Sequence, residues 1–246
     1  MKVKGQKVKG KGTSRKCALL LFVLVFAPAS LVKAQGEQQQ PPQSATPQAP
    51  KKSNERAGAP GAQAKKKPEP FDGATVARMA EQCVTLETES GAIVIEMLAE
   101  AAPETARNFL NLVSTGSFDT TTFSRVVKGF VIQGGNLSTS ERWGSADKGE
   151  ELLERARRKI LDEPNYIKHV RGIVSMARPE TPNGASTHFF ILVGEEAPTL
   201  DNKFAAFGRV IKGMETVDAI NNMQTEGDKP VKPVRLTRAA AAPCVK

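Results

Sequence analysis

Residues 84–97 alternate apolar and polar side chains on either side of Ser90-Gly91. A period of two around a turn pair predicts a β-hairpin. Pro103 follows at a position where a helix needs no N–H, and Ala106, Phe109, Leu110 and Val113 fall at i, i+3, i+4 and i+7 before Gly116. That spacing predicts a helix with one apolar face, suited to covering a sheet. Short β-rich runs come next, over residues 122–127, 129–133, 172–176, 188–193 and 205–210, with a last strand over 234–238. Residues 146–161 read as a helix with Leu152, Leu153, Ala156 and Ile160 on one face and Glu150, Glu151, Arg155, Arg157 and Arg158 on a solvent face. A further helix is predicted over 214–223, where Met214, Val217 and Ile220 recur every three residues. Many short strands with two or three helices predict an antiparallel barrel or sandwich whose ends the helices cover.

The net charge of +9 changes meaning once it is located. Eight basic residues and no acidic one lie in residues 1–34, so the remainder carries only +1. The basic excess therefore belongs to a leader, and a nucleic-acid footprint on the folded part is not expected. Basic residues up to Lys16, an apolar run over 18–29 and the small-residue triplet Val32-Lys33-Ala34 have the order of a secretory signal peptide over residues 1–34, cut after Ala34. A run of 12 residues is shorter than the roughly 20 that a membrane-spanning helix needs, so no stable membrane insertion is expected after cleavage. The expected location is the secretory pathway, ending in a periplasm or outside the cell. Residues 35–70 are rich in Gln, Pro, Ala and Lys and lack the apolar surface to offset ordering entropy, so they read as a disordered linker. It is either a plain spacer or, through Lys51, Lys52 and Lys65 to Lys67, a segment that binds acidic envelope polymers. Residues 71–82 read as a lead-in to a folded domain over 83–246.

Phosphate-cradling glycine loops and Gly-x-Ser-x-Gly elbows are missing from the sequence, and His169 and His188 are too far apart to form a local metal motif. No metal or cofactor is expected. What the chain does carry is the run Phe123-Ser-Arg-Val-Val-Lys-Gly-Phe-Val-Ile-Gln-Gly-Gly135. Ser175-Met-Ala-Arg178, Ser186-Thr-His-Phe-Phe-Ile191, Leu200-Asp-Asn-Lys-Phe204 and Phe207-Gly-Arg-Val210 follow in that order. In order and spacing these segments resemble the cyclophilin family of peptidyl-prolyl cis-trans isomerases, and Pro103-Glu-Thr-Ala-Arg-Asn-Phe109 is similar to the family's first helix.

The resemblance implies a mostly β fold, an eight-stranded antiparallel barrel with helices at its ends, with the helix over 146–161 an addition in a loop. It implies a groove on the outer face in which Arg125 is the catalytic arginine and Phe130, Val131, Phe190, Leu200 and Phe204 line a proline pocket. Gln133, Ala177, Arg178 and His188 fall where the family holds the substrate backbone. Phe123, Phe189 and Phe207 read as plain core, since alternation puts Phe189 and Phe190 on opposite faces. The chain departs from the family's usual residues at His188, at Thr199 and at Phe204. His188 makes activity that varies between pH 5 and 8 an expectation, and Thr199 lacks the indole donor associated with tight cyclosporin binding.

The implied substrates are proline-containing polypeptides, handled by a monomer. A proline-binding chaperone or scaffold without useful turnover, and a structural spacer, are the competing function classes. Cys17 leaves with the leader, and an even pair of cysteines in an oxidising compartment reads as a disulfide. The resemblance brings the first and last strands together as neighbours and so implies a Cys83–Cys244 bond, the alternative being two independent thiols.

Overall fold

The computed structural model describes residues 68–245. The leader over 1–34, Cys17 within it and the linker as far as residue 67 lie outside the described residues.

The predicted hairpin forms as β1 (Gln82–Thr88) and β2 (Gly91–Met97). The Thr88 hydroxyl donates to the Gly91 carbonyl at 2.6 Å and accepts from the Ser90 N–H at 3.1 Å, which closes the turn. α2 (Pro103–Ser114) begins on its proline, as expected of a residue with no N–H to satisfy. The remaining strands of the main sheet are β3 (Arg125–Val127), β4 (Val131–Gly134), β5 (Ile173–Met176), β6 (Phe189–Leu192), β7 (Ala206–Lys212) and β10 (Leu236–Pro243). A separate two-stranded ribbon, β8 (Thr225–Glu226) with β9 (Lys229–Pro230), was not anticipated, being too short to show alternation.

All eight main strands pair antiparallel in the order β10-β1-β2-β7-β5-β6-β4-β3. The sheet curls until its edges meet at one isolated bridge, Thr122 to Arg235, flanked by Phe123 N–H to Val234 C=O at 3.0 Å and Leu236 N–H to Thr121 C=O at 2.8 Å. The barrel is therefore closed at a single point rather than along a full ladder. Inside it Phe109 from α2 packs against Phe118, Phe189 and Phe207, and Phe189 also meets Phe123, with ring centroids 4.8 to 6.3 Å apart. Each such ring, fully buried, stabilises the fold by about 2 to 3 kcal/mol relative to exposure. α4 (Met214–Asn221) lies against β2, β3 and β4.

Three boundaries differ from the sequence expectation. Residues 71–82 are part of the fold: Phe71, Ala74 and Met79 are buried in the main core, α1 (Val76–Ala80) is capped by the Thr75 hydroxyl, and Gln82 already pairs in β1. A helix of five residues has too few turns to show a period. The last strand does not stop at 238 but runs through the alanines to Pro243, because β1 offers a paired partner for each of them. Cys83 thereby faces Ala242, and the Cys244 N–H donates to the Glu81 carbonyl. Cys83 and Cys244 are joined as a disulfide with Cα atoms 4.9 Å apart across 161 residues of sequence.

The third difference is the charged helix. It forms as α3 (Gly149–Arg157), shorter at both ends than 146–161. Ser145 holds residues 145–148 in a turn, and past Arg157 the chain extends so that the Ile160 N–H reaches the Ala185 carbonyl. Arg155, assigned by periodicity to the solvent face, is buried instead. Its Nε lies 3.2 Å from Glu69 Oε1 and its Nη2 donates to the Asn108 carbonyl. Glu69, the penultimate residue of the expected linker, is thus folded into the domain and binds Arg158 as well.

Candidate active site

Strand alternation sorts the residues of β4 and β6 between two sides of the sheet. Ile132, Phe189 and Ile191 point into the main core, whereas Val131, Phe190 and Leu192 form a second apolar cluster on the outer face, with Val127, Phe130, Ala177, Leu200 and Phe204 packed against it. Gly134 ends β4 and Gly135 follows it, where neighbouring chain comes too close for side chains. A Cβ at Gly134 would press on Phe189 and Phe123, and Gly135, at φ 83°, passes against the Thr187 carbonyl. That approach also lets the Thr187 hydroxyl donate to the Gly135 carbonyl at 2.8 Å.

The outer cluster opens into a cavity of about 180 Å³ lined by Arg125, Phe130, Val131, Gln133, Ala177, Arg178, Phe190, Leu200 and Phe204. Every residue assigned to the groove from the sequence, apart from His188 and Thr199, is in that lining. Arg125 and Gln133 are register partners across the β3–β4 pair, so both side chains lie at the same level of the sheet. Phe130 sits at the end of the connecting turn, which α4 fastens: the Asn221 side chain accepts from the Gly129 N–H and donates to the Val127 carbonyl, each at 2.9 Å. Phe190 meets Phe204 edge to face at 5.7 Å, so the two rings form one corner. The Arg178 guanidinium stands 5.4 Å over the Phe204 ring and donates to the Lys203 and Pro179 carbonyls. Nε and Nη2 are therefore committed to the loop that carries Phe204, and Nη1 to the carbonyl of the adjacent Pro179.

Behind Phe190 lies a polar relay that the sequence reading did not identify. The His169 ring stacks on Phe190 with centroids 6.3 Å apart. Its Nδ1 is 3.1 Å from Asp201 Oδ1 and its Nε2 is 2.8 Å from the Ser175 hydroxyl. Burial lowers the His169 pKa, so the ring is neutral at pH 7. Asp201 accepts from the His169 backbone N–H first, then from Lys168 and the His169 ring, and its pKa is lowered to about 2. No local motif marks this trio: Ser175 lies only 6 residues after His169, but Asp201 comes from 32 residues beyond it.

His188 lies outside the apolar cavity. It lines an adjoining cavity of about 430 Å³, which shares Gln133, Ala177 and Arg178 with the first and also takes in Trp143, Ala156 and Lys159 from the 138–166 segment. Desolvation, and then the Lys159 charge, lower the His188 pKa. The imidazole therefore titrates below its ordinary range, which moves the expected pH dependence to the acid side. Thr199 is exposed in a short 3-10 turn (Pro198–Leu200) and lines neither cavity; its neighbour Leu200 does. Among the described residues there is no cluster of His, Cys, Asp and Glu suited to a metal ion.

Residues 83–241 match the family model described as cyclophilin type peptidyl-prolyl cis-trans isomerase. A peptidyl-prolyl cis-trans isomerase of Dictyostelium discoideum is 38% identical over 164 residues, which is 66% of this chain and 99% of that protein. A human peptidyl-prolyl cis-trans isomerase-like protein is 38% identical over 153 residues, covering 61% of this chain and 88% of its own length. Among solved structures, a Cryptosporidium parvum cyclophilin-type isomerase crystallised in the presence of the dipeptide Ala-Pro superposes with a TM-score of 0.54 at 29% identity, over 64% of this chain and 96% of that one.

Proposed function

This chain belongs to the cyclophilin-type peptidyl-prolyl cis-trans isomerases, and from that membership we propose that it speeds rotation about X–Pro bonds in exported polypeptides, with Arg125 stabilising the twisted amide. The observation that carries the proposal is the placement of Arg125, beside an Arg178 whose donors are taken up by backbone carbonyls, at an apolar cavity large enough for a small ring and walled by Phe130, Phe190, Leu200 and Phe204.

The chemistry asks little else of the protein. Amide resonance sets a barrier of about 18 to 20 kcal/mol, and rotation makes and breaks no σ bond. In the twisted state the prolyl nitrogen becomes pyramidal and regains a lone pair, so a fixed guanidinium favours that state over the planar one. Arginine suits the task because it stays charged and directs planar N–H donors. The phenylalanine corner would hold the prolyl ring while Gln133 and a neutral His188 engage flanking backbone, so one side of the bond turns against a clamped other. Ala177 and Arg178 complete that wall.

Export is supported by the leader-like order of residues 1–34 and by the Cys83–Cys244 bond, since disulfides persist in oxidising compartments. A protease-coupled isomerisation assay on an Ala-Pro tetrapeptide tests the activity. The proposal expects turnover at substoichiometric protein. Binding of the peptide without acceleration would leave a proline-binding scaffold, and the enzymatic reading would fall.

A further inference from the structure

Arg125 does not stand free. Its Nε and Nη2 both donate to Asp228 Oδ2, at 3.1 and 2.8 Å, across 103 residues of sequence. Asp228 follows Gly227, which has φ 58°, in the two-residue turn between β8 and β9. The same aspartate's carbonyl accepts the Val126 N–H at 2.8 Å. Asp228 is thus anchored to β3 by its backbone while its side chain holds the arginine of that strand.

We propose that Asp228 is a positioning residue for catalysis: it holds Arg125 in one rotamer, leaving Nη1 to act on the prolyl amide. The inference rests on the catalytic reading of Arg125 and adds to it a second residue. Both side chains are about half exposed. A pair so placed contributes little to stability, so its consequence is to be sought elsewhere. Arg125 lies on the edge strand β3, where a long side chain would otherwise sample many rotamers. A cation helps a transition state only when it is already in place, and restricting it beforehand removes the ordering cost from the reaction. Both bonds to Asp228 use one edge of the guanidinium, and no hydrogen bond occupies Nη1 among the described residues. The fixed edge sets the direction of the free one.

The test is a double-mutant cycle on kcat and KM for a proline tetrapeptide, with Asp228→Asn, Asp228→Glu, Arg125→Ala and the double variant Arg125→Ala/Asp228→Asn. Asp228→Asn should lower kcat about three- to tenfold with KM little changed, the pattern of an interaction used only in the transition state. Asp228→Glu should recover most of that loss, and Asp228→Asn should add nothing once Arg125 is alanine. Raising the salt concentration should pull the wild-type kcat toward that of Asp228→Asn and leave the variant unmoved. An Asp228→Asn enzyme at or above the wild-type kcat overturns the inference, as does an equal loss in the Arg125→Ala background, which would mark a purely structural role. A wild-type rate in Arg125→Ala alone would instead refute the role given to Arg125.

Discussion

Glu69 and Arg155 form an ion pair with their side chains 10% and 4% exposed, Oε1 lying 3.2 Å from Nε. One partner comes from the proline-rich lead of the domain and the other from the middle of α3. The pair explains why a helix whose apolar residues make only a narrow stripe is held against the barrel: the guanidinium also donates to the Asn108 carbonyl on α2. It joins the start of the domain to the segment that supplies Ala156 and Lys159 to the cavity beside the one lined by Arg125.

Removing one partner of that pair leaves a buried charge without compensation. Glu69→Gln is expected to lower the stability of the domain by about 3 kcal/mol, read as a lower urea midpoint at unchanged m. Glu69→Leu combined with Arg155→Met should recover most of the loss, because neither charge then needs solvation. A Glu69→Gln midpoint equal to wild type would contradict the burial described for the pair.

Arg125→Ala is expected to reduce kcat/KM at least about tenfold, since a charge placed at the twisting nitrogen should contribute more than about 1.4 kcal/mol. The urea midpoint should hardly move, Arg125 being on the surface. Arg125→Lys should restore little, because an ammonium has neither the planar fork nor the two-bond contact to Asp228. A coupled assay beside a circular dichroism spectrum checks both halves.

Stability should be level from about pH 7 to 8 and fall as pH drops below 6.5. The folded-state pKa values of His169 and His188 lie below the unfolded value of 6.5. In the window beneath it the unfolded chain therefore binds more protons than the native one, and stability is lost. A second decline should begin near pH 4, as Asp201, lowered to about 2, is passed in its unfolded state first. Isomerase activity should likewise be flat above pH 7, His188 being neutral there. Urea titrations at half-unit intervals would show the first break; stability that rises on acidification through pH 6 would reverse the sign assigned to both histidines.

Reducing the Cys83–Cys244 bond, or replacing both cysteines by serine, should lower stability by up to about 5 kcal/mol, the chain-entropy ceiling for so long a loop. The bond lies where β1 and β10 pair, away from the lining of the groove, so kcat/KM below the new melting transition should stay within about twofold of wild type. Peptide mapping without reduction establishes the bond: native protein in which both thiols alkylate would contradict it.

Much of this protein is determined by local sequence. The hairpin around Ser90-Gly91, the proline-started α2 and the opposite fates of Phe189 and Phe190 follow from periodicity and turn chemistry, because each depends only on neighbours a few residues away. The motif residues from Arg125 to Phe204 were legible as a set only through the order and spacing that resemble the cyclophilin family; strand alternation then accounts for why those that line the cavity meet on a single patch of sheet. The curl of the barrel decided the rest. Asp228 reaches Arg125, Asp201 orders His169 behind Phe190, and Glu69 buries the charge of Arg155, each from a segment far along the chain. No spacing rule encodes these pairs, since a charged side chain reads as solvated until the fold brings its partner within about 3 Å and, for Arg155, makes burial tolerable.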